Sequence, residues 1–349
     1  MRIAQVAPLY ERVPPRLYGG TERVVAYLTE ELVRRGHQVT LCASGDSVTT
    51  ARLMSPVARA LRLDPETRDP VAPHVVELSQ VFERAHEFDL IHCHVDYLAF
   101  PFTRLVSTPS LHTLHGRLDL PFLAPLLRHF QNVPLVSISD AQRRPLAGLP
   151  LAWLGTVHHG LPLDRFPYSP RGGRYLAFLG RISREKRTDL AIEVAKRAGL
   201  PLKIAAKVDA ADRVYFEQEI RPLFDHPLIE FVGEIGDDAK AAFLGDALAL
   251  LFPIDWPEPF GLVMIEALAC GTPVIARPTG SVPEVLVPGR TGFAADTVDE
   301  LVGAVKRVDT IDRGACRGHV EEHFTVARMA DRYEALYRRL ITRSQARAA

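Results

Sequence analysis

No stretch of the 349 residues approaches the roughly 18 unbroken apolar positions of a membrane-spanning helix, so a globular, water-soluble chain is expected. Net charge is missing too: 42 Lys and Arg face 42 Asp and Glu, and no global field draws the chain to nucleic acid or to anionic membranes. Partners must then be recognised locally. Cysteine is scarce, and Cys42, Cys93, Cys270 and Cys316 are far apart with no CxxC pair. That excludes a disulfide framework or a zinc ribbon and leaves buried free thiols as the expectation. Residues 1–8 hold too little apolar sequence for a signal peptide; they read as a strand, and a cytoplasmic location is expected. Repeats and low-complexity tracts are absent except for an Arg- and Ala-rich tail after Arg338, which should fray.

What is present is alternation. Short apolar runs recur between helix-length amphipathic patterns, the signature of βαβ units and parallel sheets. In the first half the runs are Ile3 to Ala7, Val39 to Ala43, Leu90 to Cys93, Ser110 to Leu114 and Leu135 to Ile138. A helix is predicted over Thr21 to Arg35, where Val24, Val25, Leu28, Leu32 and Val33 recur at helical spacing and Gly36 supplies a left-handed stop. Residues 161–174 then concentrate Pro162, Pro167, Pro170, Gly172 and Gly173, the composition of a linker. Beyond it the pattern restarts at Tyr175 to Leu179, Leu202 to Ala206, Ile229 to Val232, Leu248 to Phe252 and Pro273 to Ala276. An α/β chain of two Rossmann-like domains with parallel sheets is expected, residues 1–168 and 169–325, followed by a last helix within 326–349.

Three segments carry candidate chemistry. In Glu258-Pro-Phe-Gly-Leu-Val-Met-Ile-Glu266, Pro259 keeps Glu258 out of the helix, which should start near Phe260 and end before Gly271. Free amides around Phe260, Gly261 and Leu262 would then form an anion site, with two carboxylates available to sugar hydroxyls. The bland reading is a buried helix in which Glu266 is a partly exposed cap or salt-bridge partner. In Gly180-Arg181-Ile182-Ser183-Arg184-Glu185-Lys186, a bidentate guanidinium and a mobile ammonium stand at a strand's carboxyl end, suited to a diphosphate or simply to water. Gly19-Gly20-Thr21-Glu22 follows the first strand; it lets the backbone approach a ligand, with Thr21 as a helix cap, but lacks the third glycine of a nicotinamide fingerprint. A simple turn is the alternative.

Together with Pro253, Trp256, Pro257 and Gly271-Thr272-Pro273, the E-x7-E segment resembles that of retaining glycosyltransferases of the GT-B fold, family four, and the resemblance spans nearly the whole chain. It implies two facing domains, acceptor on the first and nucleotide-sugar donor on the second, with the terminal helix crossing back to the first domain. It gives Arg181 and Lys186 to the donor diphosphate, Glu258 to the donor sugar, Glu266 to the ribose, and Gly19 and Gly20 to contacts with the phosphates and acceptor. The Glu230 to Gly236 edge, including Ile235, would read the nucleobase, and the Gly280 to Glu284 loop would lie over the sugar. His115 resembles the active-site histidine. One departure stands out: many relatives have Gly after the Lys, where this chain has Arg187.

Asp89-Leu-Ile-His-Cys-His resembles the family's Ile-His-x-His strand, so His92 and His94 are not expected to bind metal; His112, His158 and His159 are read as structural or interface residues, and Asp140 as a helix-cap region. Neither a metal nor a resident cofactor is implied, the nucleotide-diphosphate sugar being a co-substrate. The resemblance implies retaining transfer of a hexose to a small-molecule, glycan or lipid acceptor, recognised by first-domain loops such as 47–73. Nucleic acid is not an expected partner. Arg143, Arg144 and the last helix could meet anionic lipid or be solvated. A nucleotide-sugar epimerase and a non-catalytic nucleotide-sugar binder remain as alternatives.

Overall fold

The computed structural model describes residues 1–64 and 67–348. Pro65 and Glu66, inside the 47–73 stretch, and the terminal Ala349 lie outside the described residues. The chain divides into two compact units, one of residues 1–160 with 326–349 and one of residues 161–325. The division falls at the start of the Pro- and Gly-rich stretch, eight residues ahead of the expected 168. Leu161 already belongs to the second unit, because its amide donates to the Phe324 carbonyl at 2.8 Å.

The first unit holds a seven-stranded parallel sheet of β1 (Arg2–Val6), β2 (Gln38–Cys42), β3 (Arg52–Met54), β4 (Leu90–Cys93), β5 (Ser110–Thr113), β6 (Leu135–Ser137) and β7 (Trp153–Thr156), ordered β3-β2-β1-β4-β5-β6-β7. The second holds six parallel strands, β8 (Leu176–Arg181), β9 (Leu202–Lys207), β10 (Ile229–Gly233), β11 (Ala249–Phe252), β12 (Val274–Ala276) and β13 (Gly292–Ala294), ordered β10-β9-β8-β11-β12-β13. In each sheet the strand order reverses once, between β1 and β4 and between β8 and β11. Connections leave these neighbours in opposite directions, which opens a crevice at their carboxyl ends.

Each predicted strand forms, within a residue or two at its ends. The three that the apolar pattern missed, β3, β7 and β13, all lie at sheet edges and are three or four residues long. Arg-Leu-Met, Trp-Leu-Gly-Thr and Gly-Phe-Ala are too short and mixed to announce burial on both faces. Helix α1 spans Gly20–Arg34 and buries Val24, Val25, Leu28 and Leu32, with Gly36 left-handed at φ 84°. Its N-cap is Gly19 rather than the expected Thr21, which lies inside the first turn. The helices of the second unit include α2 (Thr188–Ala198), α3 (Asp237–Gly245) and α4 (Leu262–Ala269).

The last helix, α5 (Val326–Ala348), is part of the first unit. Arg35, at the end of α1, grips it through Asp331 at 2.6 Å and Glu334 at 3.2 Å. Deeper in, Tyr333 and Tyr337 are wholly buried, and the Tyr337 hydroxyl meets Gln5 Nε2 at 3.1 Å and His92 Nδ1 at 2.7 Å. Buried polar atoms of this kind need their partners, since losing one leaves the other desolvated and unpaired. Tyr337→Phe should therefore lower unfolding free energy by about 1–3 kcal/mol, read from chemical-denaturation midpoints at constant slope.

Candidate functional site

In the second unit the switch between β8 and β11 gathers the residues singled out from sequence. Strand β8 ends at Arg181, and a tight turn over Arg184–Lys186 follows it. Strand β11 ends at Phe252, and Asp255, Trp256 and Glu258 lie on the loop beyond. The two loops meet through ions: Lys186 Nζ contacts Glu258 Oε2, and Trp256 Nε1 donates to the same oxygen at 3.0 Å. Lys186 also lies over the Trp256 ring, 5.0 Å from its centre. Both charged side chains are largely withdrawn from water, 14% and 11% exposed, so each depends on the other for compensation. The Asp255 amide donates to the Glu185 carbonyl at 2.8 Å, a second tie between the loops.

Arg187 explains the departure from family pattern. It sits at φ 53°, a left-handed conformation that costs a non-glycine residue on the order of 1–3 kcal/mol, so a glycine would occupy this position without strain. Here the Arg side chain is held instead by Asp189 at 2.9 Å and Asp255 at 3.3 Å.

Glu258 is also fixed from its backbone. Ser281 donates its amide to the Glu258 carbonyl at 3.0 Å and its hydroxyl to the Phe260 carbonyl at 2.7 Å. Gly280, at φ 56°, lies so close that a Cβ there would stand 2.3 Å from the Glu258 nitrogen. Residues 280–284 thus press on the acid-bearing loop itself.

Helix α4 begins at Leu262, two residues later than the expected start near Phe260. Gly261 takes a left-handed φ of 76° and forms the N-cap, which keeps Phe260 outside the helix, 2% exposed in the core. The open amide end therefore starts at Leu262 and Val263. Glu266 is not partly exposed: its side chain is 4% exposed and pairs with Lys240 of α3 at 2.9 Å. The sequence reading had no candidate for that partner, because an ion pair between two helices leaves no local spacing. Ile235 lies half-buried in the loop between β10 and α3.

Arg181 stands among acids, with Glu185 of its own motif at 2.8 Å and two that were missed, Asp209 at 3.5 Å and Asp212 at 3.7 Å. Asp209 and Asp212 follow β9, so only the β8–β9 pairing brings them in.

In the first unit, Gly19 has φ 157°, and a Cβ there would reach 2.8 Å from Pro15 Cβ. Burial and the neighbouring Glu11 charge push the Glu22 carboxyl up to about 7, despite amides of its own turn and of Glu11 that favour its ionised form. His115 Nε2 is 2.9 Å from His94 Nδ1, and His94 Nε2 is 2.8 Å from Gln5 Oε1. His92 joins Tyr337 and, at 2.7 Å, Thr113. His159 stacks on His115 with centroids 5.4 Å apart. His112 packs edge-on against Phe100. His92 and His94 are therefore members of a buried polar relay that anchors α5. Asp140 follows the N-cap, Ser139, whose hydroxyl accepts from the Gln142 amide.

Among the described residues, no group of three or more His, Cys, Asp or Glu side chains is arranged to hold a metal, and no helix is long and apolar enough to cross a membrane. The four cysteines are buried and free.

Two doubly wound parallel sheets in one chain are the architecture of the GT-B fold. The profile described as Glycosyltransferase Family 4 matches residues 18–192, half of the chain, and that described as Glycosyl transferases group 1 matches residues 164–310. The chain belongs to glycosyltransferase family 4. It is 27% identical to glycogen synthase of Mycobacterium tuberculosis over 88% of this chain and 86% of that protein. It is equally 27% identical to phosphatidyl-myo-inositol mannosyltransferase of Mycolicibacterium smegmatis, over 87% and 84%. The crystal structure of Anabaena Alr3699/HepE in complex with UDP and glucose superposes with a TM-score of 0.75 at 16% identity, covering 97% of this chain and all of that one.

Two outcomes test this geometry. Lys240→Met should destabilise the protein by about 3–5 kcal/mol because Glu266 is left buried and uncompensated, whereas the double change Lys240→Met with Glu266→Leu should recover most of the loss in a denaturation cycle. Burial also holds His112 and His115 down at about 3 against an ordinary value near 6.5. Protons then bind the unfolded chain more readily, so stability is full above pH 6.5 and is lost as pH falls from 6.5 toward 3. Urea midpoints between pH 7.5 and 5 should fall, and His115→Gln should flatten that slope.

Proposed function

We propose that this glycosyltransferase moves a hexose from a nucleoside-diphosphate sugar to a hydroxyl acceptor with retention of anomeric configuration and without a metal. The observation that carries the reading is the Lys186–Glu258 pair beside Arg181 and the open end of α4, at the switch point of the second sheet. The two members of the pair match the two parts of such a donor. An ammonium, a guanidinium and the first amides of α4 suit a pyrophosphate, while a carboxylate suits sugar hydroxyls.

Lys186 and Glu258 neutralise each other. A diphosphate would give Lys186 a second anion, and the hexose would give Glu258 hydrogen-bond donors, so binding exchanges one compensated arrangement for another. Arg181 is held in place by Glu185, Asp209 and Asp212, and Lys240 orients the Glu266 carboxylate for the ribose hydroxyls. Ile235 and its neighbours offer backbone groups to the base. In the first unit, Gly19, Gly20 and His115 lie on segments that leave carboxyl ends of the sheet, and the acceptor is assigned to that edge.

In the reaction the acceptor oxygen bonds to the anomeric carbon on the face from which the diphosphate departs. The bond from that carbon to the diphosphate oxygen breaks, and the acceptor proton passes to the leaving phosphate. Negative charge grows on the diphosphate as the bond lengthens, where Arg181, Lys186 and the helix amides offset it. The chain's contribution is then positioning plus electrostatics. UDP-glucose and GDP-mannose are the donors to try first, since the similar proteins include one crystallised with UDP-glucose and a mannosyltransferase.

Lys186→Ala should reduce turnover by roughly 30- to 1,000-fold, equivalent to about 2–4 kcal/mol of barrier, with near-UV circular dichroism still native. Turnover within a few-fold of wild type would remove Lys186 from the diphosphate site. Transfer measured with either donor should be unchanged by a chelator. Loss on chelation with rescue by a divalent ion would replace the metal-free mechanism with a metal-assisted one.

A further inference from the structure

The carboxyl ends of α3 and α4 lie together, and one side chain that the donor chemistry does not use binds both. Arg313 opens the helix of residues Arg313–His323. Its Nη2 donates to the Gly245 carbonyl, the last of α3, and to the Thr272 hydroxyl just past α4, each at 2.8 Å, and lies 3.5 Å from the Cys270 carbonyl. Nη1 donates to the Ala247 carbonyl at 3.0 Å and Nε to the Ser169 carbonyl at 2.8 Å. The Thr272 hydroxyl donates in turn to the Leu244 carbonyl at 2.6 Å. One turn along, Arg317 Nη1 donates to the Ala269 carbonyl, the last of α4, at 2.9 Å and to the Phe166 carbonyl at 2.6 Å. The last carbonyls of a helix have no partner within it, and cations placed there are favourable.

Every hydrogen bond that Arg313 makes goes to a neutral oxygen, whereas Arg317 has Glu321 at 2.7 Å. A desolvated cation without a paired carboxylate is costly, and an apolar side chain would fill the same space without that cost. What the guanidinium adds is a planar set of donors that fixes the Ser169 segment, the end of α3 and the end of α4 relative to one another. The backbone around it is shaped to admit it. A Cβ on Gly172 would stand 2.9 Å from Arg313 Nη1, and one on Gly173 would stand 1.6 Å from the Asp246 carbonyl oxygen. These glycines of the Pro- and Gly-rich stretch therefore serve close packing against Arg313 and α3, and the stretch is strapped to the second unit from Phe166 onward.

Helix α4 has eight residues, a length of about 12 Å, so its two ends cannot move independently. Helix α3 carries Lys240, the partner of Glu266 on α4. Holding α3 and α4 at their carboxyl ends therefore sets both the Lys240–Glu266 pair and the place of the Leu262 and Val263 amides. We propose that Arg313 is a positioning residue for the donor site: its guanidinium clamps the carboxyl ends of α3 and α4, and so holds the first amides of α4 and the Glu266 carboxylate where a nucleoside diphosphate engages them. The effect on nucleotide binding rests on the donor reading above; the clamp itself does not.

Isothermal titration calorimetry of the full chain with UDP and with GDP reads the effect. Wild type should bind at least one of them. Arg313→Lys, which keeps the charge but not the planar set of donors, should bind it about tenfold or more weakly with near-UV circular dichroism still native. Gly172→Ala leaves Arg313 and every donor-site group in place but crowds Nη1, and should weaken binding severalfold. Guanidinium ion at a sub-denaturing concentration should restore binding to Arg313→Ala by refilling the clamp. In a protein that is merely destabilised, such as Tyr337→Phe, the same ion can only lower binding, because guanidinium favours unfolding. Rescue therefore separates positioning from folding. Wild-type affinity in both Arg313→Lys and Gly172→Ala, or a loss in Arg313→Ala that guanidinium deepens, overturns the proposal and leaves the donor site standing as long as Lys186→Ala loses binding. A wild type that binds neither nucleotide, or a Lys186→Ala that binds as wild type does, sinks the donor reading and this proposal with it.

Discussion

A carboxylate and an ammonium drawn out of water are stable only together, and the Lys186–Glu258 pair imposes that condition on the second unit. Each residue sits on a different loop, so the pair requires β8 and β11 to lie side by side with their carboxyl ends level. The remaining features serve the same end. Gly280 permits the 280–284 loop to press on Glu258, and Ser281 ties it there. The left-handed turn at Arg187 brings the chain from Lys186 into α2, and Gly261 turns it from the Glu258 loop into α4. Because neither charge can be withdrawn without exposing the other to an uncompensated environment, a ligand that engages one must also engage the other. A sugar linked to a diphosphate meets that requirement with one molecule.

The first unit uses buried polarity for a different purpose. Gln5, His92, His94, Thr113, Tyr333 and Tyr337 hydrogen-bond in a connected group beneath the carboxyl edge of its sheet, with His115 at the end nearest that edge. Desolvation keeps the histidines neutral, so the group carries no net charge and can be enclosed at little electrostatic cost. Two of its members come from α5. The last helix is thereby specified by hydrogen bonds as well as by apolar contact, and the turn bearing His115 inherits its rigidity.

How much of this was legible in the sequence follows from how local each signal is. Buried central strands are continuous apolar runs, and each appeared within a residue or two; β3, β7 and β13 did not, because short edge strands carry no such run. Glu258, Lys186 and Arg181 were visible because each lies in a segment whose neighbours repeat a family pattern. Lys240, Asp209 and Asp212 were not, since an interhelical ion pair and a cross-strand acid cluster depend on which elements become neighbours. Conversely, Arg187 looked like a weakness in the motif and proved to hold the left-handed position that glycine would fill.

The central claim is that one donor molecule engages both halves of the Lys186–Glu258 pair. A crystal structure with intact UDP-glucose or GDP-mannose tests it most directly. The account expects the diphosphate against Lys186, Arg181 and the Leu262 and Val263 amides, with hexose hydroxyls on Glu258. A donor bound elsewhere, with Lys186 and Glu258 still closed on each other, would contradict it.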